Sequence, residues 1–165
     1  MIVISDTTPL NYLALIGQQE LLARLFERVV IPQAVWTELQ AESTPEAVSS
    51  WIASAPEWLE VRQANLPADA ALSVLDPGEQ EAILLAQELH ADLLLIDDKD
   101  GRLEATRRNI AVVGTLGILD KAAEKDWLDL PEALARLQQT SFRASAELIN
   151  SLLEQDAKRK QRRSS

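Results

Sequence analysis

Residues 76–102, DPGEQEAILLAQELHADLLLIDDKDGR, carry the pattern that decides the fold. Asp76 followed by Pro77 is a helix start signal. Glu79 stands three residues after Asp76, the spacing of a capping box. Ala82, Leu85 and Leu89 then recur at helical spacing up to His90. DLLLI at 92–96 follows as a short apolar run of the kind found in strands buried on both faces of a parallel sheet. The run stops on two acids, Asp97 and Asp98, and KDGRLEATRRN reads as the next helix.

The same alternation extends in both directions. Upstream, IVIS (2–5) predicts a buried strand that ends on Asp6. TTPLNYLALIG predicts a helix with Thr8 as N-cap, Pro9 in its first turn and Gly17 as its stop. QELLARLF is a short helix, RVVI (28–31) a strand, and PQAVWTELQAE a helix opened by Pro32. Residues 45–54 read as helix, LEVR (59–62) as a strand, and 63–75 as a connector without period. Downstream, IAVVG is a strand and TLGILDKAAEKDW a helix, with two more helices at 131–139 and 144–156. Strands alternating with helices predict an α/β fold, a central mostly parallel sheet flanked by helices in three layers. Ligands of such sheets bind beyond the carboxyl ends of the strands, where strand order reverses.

The 165 residues suit one domain, taken as 1–155, followed by a basic and disordered tail at 156–165. There is no cysteine, which excludes disulfides, thiolate metal sites and a cysteine nucleophile. No stretch approaches the ~20 apolar residues of a membrane span, and MIVISD lacks the basic start of a signal peptide. The expected location is cytoplasmic. Net charge is −10, and five of the 16 bases lie after residue 157. The preceding residues therefore carry 11 bases against 26 acids, which argues against indiscriminate coating of DNA. The tail, KRKQRR, is read as a solubilising end, with phosphate contact as the alternative.

Asp6, Asp97 and Asp98 each follow a buried strand. Ionised acids gathered there repel one another and lose water, and no basic segment adjoins Asp6 to compensate. A hard divalent cation answers both costs. Glu38 lies on the apolar side of its helix, three residues after Val35. Glu81 borders the apolar face of Ala82, Leu85 and Leu89. Glu79 borders the other edge, but its capping role explains it, so Glu81 is preferred.

On these residues the chain resembles a PIN domain, the nuclease fold of many VapC-like prokaryotic toxin–antitoxin ribonucleases. VISDTTPLNYL is similar to its opening strand and catalytic aspartate. VIPQAVWTELQ is similar to its strand–proline–helix segment with a late acid, and GEQEAILLAQELHADLLLIDDKDGR to its third acidic helix and acid-ended strand. DDKDGR with VVGTLGILDKA more closely resembles one prokaryotic PIN-like branch. The resemblance spans about residues 1–155. It places Asp6, Glu38, Glu81 and Asp98 as the acidic quartet, with Asp97 as a further metal ligand and Asp100 beside it. The third position holds Glu where the family has Asp.

The resemblance implies Mg²⁺ or Mn²⁺ and endonucleolytic hydrolysis of single-stranded RNA, with 5′-phosphate and 3′-hydroxyl products. It implies an antitoxin protein as partner and a homodimer, for which the helices at 44–54 and 131–156 offer surfaces. Thr7 and Arg102 are expected near the substrate. His90 is expected to cap its helix, and the four tryptophans to pack rather than stack on bases. A haloacid-type phosphatase would need a second aspartate at residue 8, where Thr8 stands. A receiver domain would need a phosphoacceptor strand and a lysine strand that are missing. The remaining alternative is a PIN-like binding module for nucleic acid or protein that does not cleave.

Overall fold

The computed structural model describes residues 1–54 and 56–164. It divides into two compact units, Met1–Thr115 and Leu116–Ser165. The first unit holds the five strands β1 (Val3–Ser5), β2 (Val29–Pro32), β3 (Leu59–Arg62), β4 (Leu93–Leu95) and β5 (Val112–Val113). Their order is β3-β2-β1-β4-β5 and all pairings are parallel, so the carboxyl ends share one edge. The chain builds outward from β1 to β2 and β3, then returns to the other side of β1 for β4. Strand order therefore reverses between β1 and β4.

Every residue of β1, β2 and β4 is buried. Successive side chains of a strand point to opposite faces, so both faces are covered. Ile4, Val30, Leu94 and Ile96 form one cluster with Ala82, Ile83, Leu85 and Ala86 of α5 (Pro77–Glu88). Fully buried aliphatic side chains are each worth roughly 1.5–3 kcal/mol. Such a core holds the sheet edge stiff enough to position polar groups at its rim.

α1 (Thr7–Leu15) begins two residues earlier than expected from Thr8 as N-cap. Its N-cap is Asp6, in extended backbone, whose side chain makes no cap bond. The first-turn N–H groups have no partners within a helix, so Pro9 is tolerated there without Thr8 acting as cap. α2 (Leu21–Phe26), α3 (Gln33–Leu39) and α4 (Glu46–Ala53) follow. Asp76 and Glu79 make the expected capping box at α5. α6 (Lys99–Arg107) starts from Asp98, which accepts the N–H of Gly101 at 2.9 Å.

The 63–75 connector is more ordered than its sequence suggests. It contains a 3₁₀ turn at Ala70–Leu72 capped by Asp69. Leu72 and Leu75 are buried in the α5 cluster. Arg108 ties the turn down by donating to both oxygens of Asp69, to Gln87 and to Glu104. The guanidinium holds the Asp69 and Glu104 carboxyls below their usual range.

α7 (Thr115–Glu124) leads into the second unit, which contains α8 (Leu130–Gln138) and α9 (Ala146–Ser164). The basic stretch expected as a disordered tail is the last part of α9, up to Ser164; Ser165 lies outside the described residues. The buried carboxylate of Asp156 accepts from Lys160 at 2.8 Å and pairs with Arg159, which also reaches Asp120 at 2.8 Å. Arg163 donates to the carbonyls of Ala123 and Glu124 at the end of α7. Acids and carbonyls of the same unit thus give this stretch reason to stay helical. Among the described residues no helix is long and apolar enough to cross a membrane.

Candidate active site

Asp6 stands where β1 ends. Its N–H donates to the Leu95 carbonyl at 2.9 Å, continuing the β1–β4 ladder by one bond. That bond fixes the carboxyl at the reversal point of the sheet, where it is 2% exposed. Burial pushes its pKa up to about 7, against the Thr7 N–H that favours the charged form; Asp76, Glu38 and Asp97 push it further up. These acids are therefore its electrostatic neighbours.

Gly78, in the first turn of α5, lies beside several acids. A Cβ built on it would lie 3.0 Å from Glu38 Oε2 and 3.5 Å from both Asp6 Oδ1 and Asp76 Oδ1. The missing side chain leaves room that three carboxylates border. Glu38, at the end of α3, is exposed rather than on the apolar side expected for it, and its Oε2 accepts from Thr7 Oγ1 at 2.7 Å. Thr7 thus joins the site through Glu38.

Of Glu79 and Glu81 on α5, Glu79 is the one on which the charges of Asp76, Asp6 and Asp98 act. The Glu79 carboxyl is pushed well above its usual range by burial, then by Asp76, Asp6 and Asp98. Glu81 instead accepts the N–H of Ala34 at 2.9 Å, capping the first turn of α3. A capping role does not isolate Glu79 from these acids, because the charges of Asp6 and Asp98 still act on its carboxyl. Asp76 is the residue that sequence reasoning left out. Its capping box explained it fully, and nothing local signalled the approach of Asp6.

Asp97 and Asp98 separate in function. Both oxygens of Asp97 are taken, Oδ1 by the N–H of Thr115 at 2.7 Å and Oδ2 by its hydroxyl at 2.6 Å. Burial raises the Asp97 pKa, while the Thr115 bonds and Arg102 lower it. Arg102 lies at Asp97: a Cβ on Gly114 would sit 2.7 Å from both Arg102 Nη1 and Asp97 Oδ1, so a side chain there would displace one of them. Asp98 caps α6 and adds its charge to the Glu79 environment. Asp100 is exposed in the first turn of α6. His90, two residues past the end of α5, has φ of 50°. Trp51 and Trp58 face each other with centroids 5.8 Å apart, and Lys125 lies over Trp127 at 5.4 Å.

Among the described residues, no three histidine, aspartate or glutamate side chains already converge as a ready ligand shell. The donor chemistry nevertheless fits a hard divalent cation. The donors are carboxylate oxygens, two of them are held partly out of water, and Gly78 keeps the space between them open. Mg²⁺ in particular takes one or two carboxylates and keeps several waters.

A PIN-domain family model, DUF3368, matches residues 2–158. Among solved structures, the chain is similar to a PilT N-terminus domain protein from the hyperthermophilic archaeon Sulfolobus solfataricus P2. Identity is 20% and the TM-score 0.46, over 88% of this chain and 100% of that one. No curated protein matches.

Proposed function

We propose that this chain, which belongs to the PIN-domain family, is a metal-dependent endoribonuclease acting on single-stranded RNA. The observation that carries the reading is the space at Gly78, bordered by Asp6, Glu38 and Asp76, whose neighbour Glu79 feels the charges of Asp76 and Asp6. In this reading Asp6, Glu38 and Glu79 hold Mg²⁺ or Mn²⁺, with Asp76 and Asp98 adding negative charge at the border. When bound, such an ion supplies Lewis-acid polarisation of the phosphate and a water of lowered pKa.

The protein's own groups orient that chemistry. The β1–β4 ladder fixes Asp6, and Thr7 steadies Glu38 through its hydroxyl. Asp97, with both oxygens engaged by Thr115, positions rather than ligates, and it keeps Arg102 beside the rim. Arg102 then offers positive charge to the substrate phosphate. Water attacks phosphorus in line with the leaving 3′ oxygen, leaving 5′-phosphate and 3′-hydroxyl ends. A cytoplasmic toxin role, with an antitoxin partner and a homodimer, extends the same reading. Size-exclusion chromatography with light scattering reads the dimer directly.

A non-cleaving binding module is the second reading, favoured by the absence of a ready three-ligand cluster among the described residues. Labelled single-stranded RNAs incubated with Mn²⁺ or Mg²⁺ separate the two. Cleavage is expected from the native chain, and its loss with EDTA and in Asp6→Asn. Divalent ion binding without cleavage of any RNA in the panel would transfer the reading to the binding module. Cleavage that survives Asp6→Asn would move the site elsewhere.

A further inference from the structure

A cleft of about 320 Å³ opens beside Glu38, between the start of α1 and the segment joining α3 to α4. Its wall includes Thr7, Thr8, Asn11, Tyr12, Ser43 and Thr44, with Glu38 at one side. This volume is at the low end of small-molecule sites, roughly 300–1,000 Å³. Glu38 is its sole ionisable carboxyl and no lysine, arginine or histidine lines it. A phosphate would therefore find no cation there, and Glu38 would repel it. A neutral group with many hydrogen-bonding edges suits the wall better.

Two of the wall hydroxyls are already committed, and both commitments go to Glu38. Thr7 Oγ1 donates to its carboxylate at 2.7 Å, and Thr44 Oγ1 to its backbone carbonyl at 3.1 Å. The cleft is thereby locked to a residue of the acidic site from two sides. By contrast, no hydrogen bond within the described chain engages the side chains of Thr8, Asn11 or Ser43. One amide and two hydroxyls are thus available to a ligand, beside an aromatic ring. Those are the groups that read an unpaired nucleoside: amide and hydroxyl to base edges and the 2′-hydroxyl, ring to the base face.

We infer that this cleft seats one nucleoside of the substrate strand, the one adjoining the phosphate held at the acidic rim. The inference rests on the ribonuclease reading and deepens it, because it makes the α1 and α3–α4 wall the place where the enzyme selects its cutting position. Specificity then comes from a neutral seat and turnover from the neighbouring acids. The arrangement also lets a chain of strong negative charge take up RNA through sugar and base contacts rather than through a phosphate clamp.

The test uses the full chain and two readouts. First, the four free ribonucleosides are titrated into ¹⁵N-labelled, metal-free protein. At least one should shift the amides of Asn11, Ser43 and Thr44, and the shifts should vanish in Asn11→Leu and in Ser43→Leu. Second, cleavage kinetics are compared for oligoribonucleotides with and without an abasic spacer beside the cut position. The spacer and either variant should raise KM at least about tenfold, a loss of the size expected for unpaired polar contacts, with kcat changed much less. Circular dichroism confirms that the variants fold; Ser43→Leu, in an exposed segment, covers a failure of Asn11→Leu. Nucleoside shifts without any RNA cleavage would keep the seat and overturn the ribonuclease reading. Cleavage with no nucleoside shifts, and with KM unmoved by spacer and variants, would overturn the seat and leave the ribonuclease standing.

Discussion

At the scale of single residues, α5 offers two glutamates that differ by two positions and have opposite duties. At about 100° per residue, Glu79 and Glu81 lie some 200° apart around the helix axis. Glu79 feels the charges of Asp76, Asp6 and Asp98, and Glu81 reaches the N-terminus of α3. Glu79→Gln keeps an oxygen for the capping box and removes a repelled charge. It should raise the stability of the metal-free protein slightly and weaken both divalent-ion binding and cleavage at least tenfold. Glu81→Ala deletes a cap and should cost about 1 kcal/mol, with kcat within about threefold of the native value. Isothermal titration with Mn²⁺ and thermal melts distinguish them. Loss of ion binding in Glu81→Ala at an unchanged melting temperature would reverse the assignment.

At the scale of elements, α9 shows how charge decides where a helix ends. Its last turns carry Lys158, Arg159, Lys160, Arg162 and Arg163, a composition that read as a solvated end. Asp156 is 3% exposed, and Arg159 and Lys160 are its partners. Removing the partners of a buried carboxylate is more costly than removing an exposed pair. Truncation after Ala157 should therefore destabilise the Leu116–Ser165 unit by about 2 kcal/mol, read as faster amide exchange in α7 and α9. RNA affinity should change little, since Arg159, Lys160 and Arg163 are engaged within the unit. Unchanged exchange together with weakened, less salt-dependent RNA binding would instead make the stretch a phosphate clamp.

At the scale of the whole molecule, the acidic rim sets how the fold responds to pH. The Asp6 carboxyl holds its proton up to about 7 when folded and to about 3.8 when unfolded. Between those values the folded chain binds more protons, so stability falls as pH rises through that window. Asp69 and Glu104 are shifted downward and act in the opposite sense, at lower pH. Each unit of separation corresponds to about 1.4 kcal/mol, and each kcal/mol to about 2–4 °C at this size. The metal-free protein should thus melt several degrees lower at pH 8 than at pH 5, and saturating Mg²⁺ or Mn²⁺ should restore the difference. A flat melting temperature without metal would mean that water reaches Asp6 freely. Much of this architecture was legible in the chain. Unbroken apolar runs dictated buried parallel strands, LEVR matched β3 residue for residue, and Asp76-Pro77 marked the start of α5, because those signals are local. Local signals also placed Asp6 and Asp98 at strand ends on one edge. They did not reveal that Asp97 spends both oxygens on Thr115, that Asp76 approaches Asp6, or that Glu81 caps α3. Each of those depends on where a second element begins in space. A carboxylate's partner 18 or 47 residues away leaves no mark on its own neighbours. The sequence alone determined the sheet and the acids that follow its strands; the tertiary structure decided which acids share the space and which are occupied in holding helices.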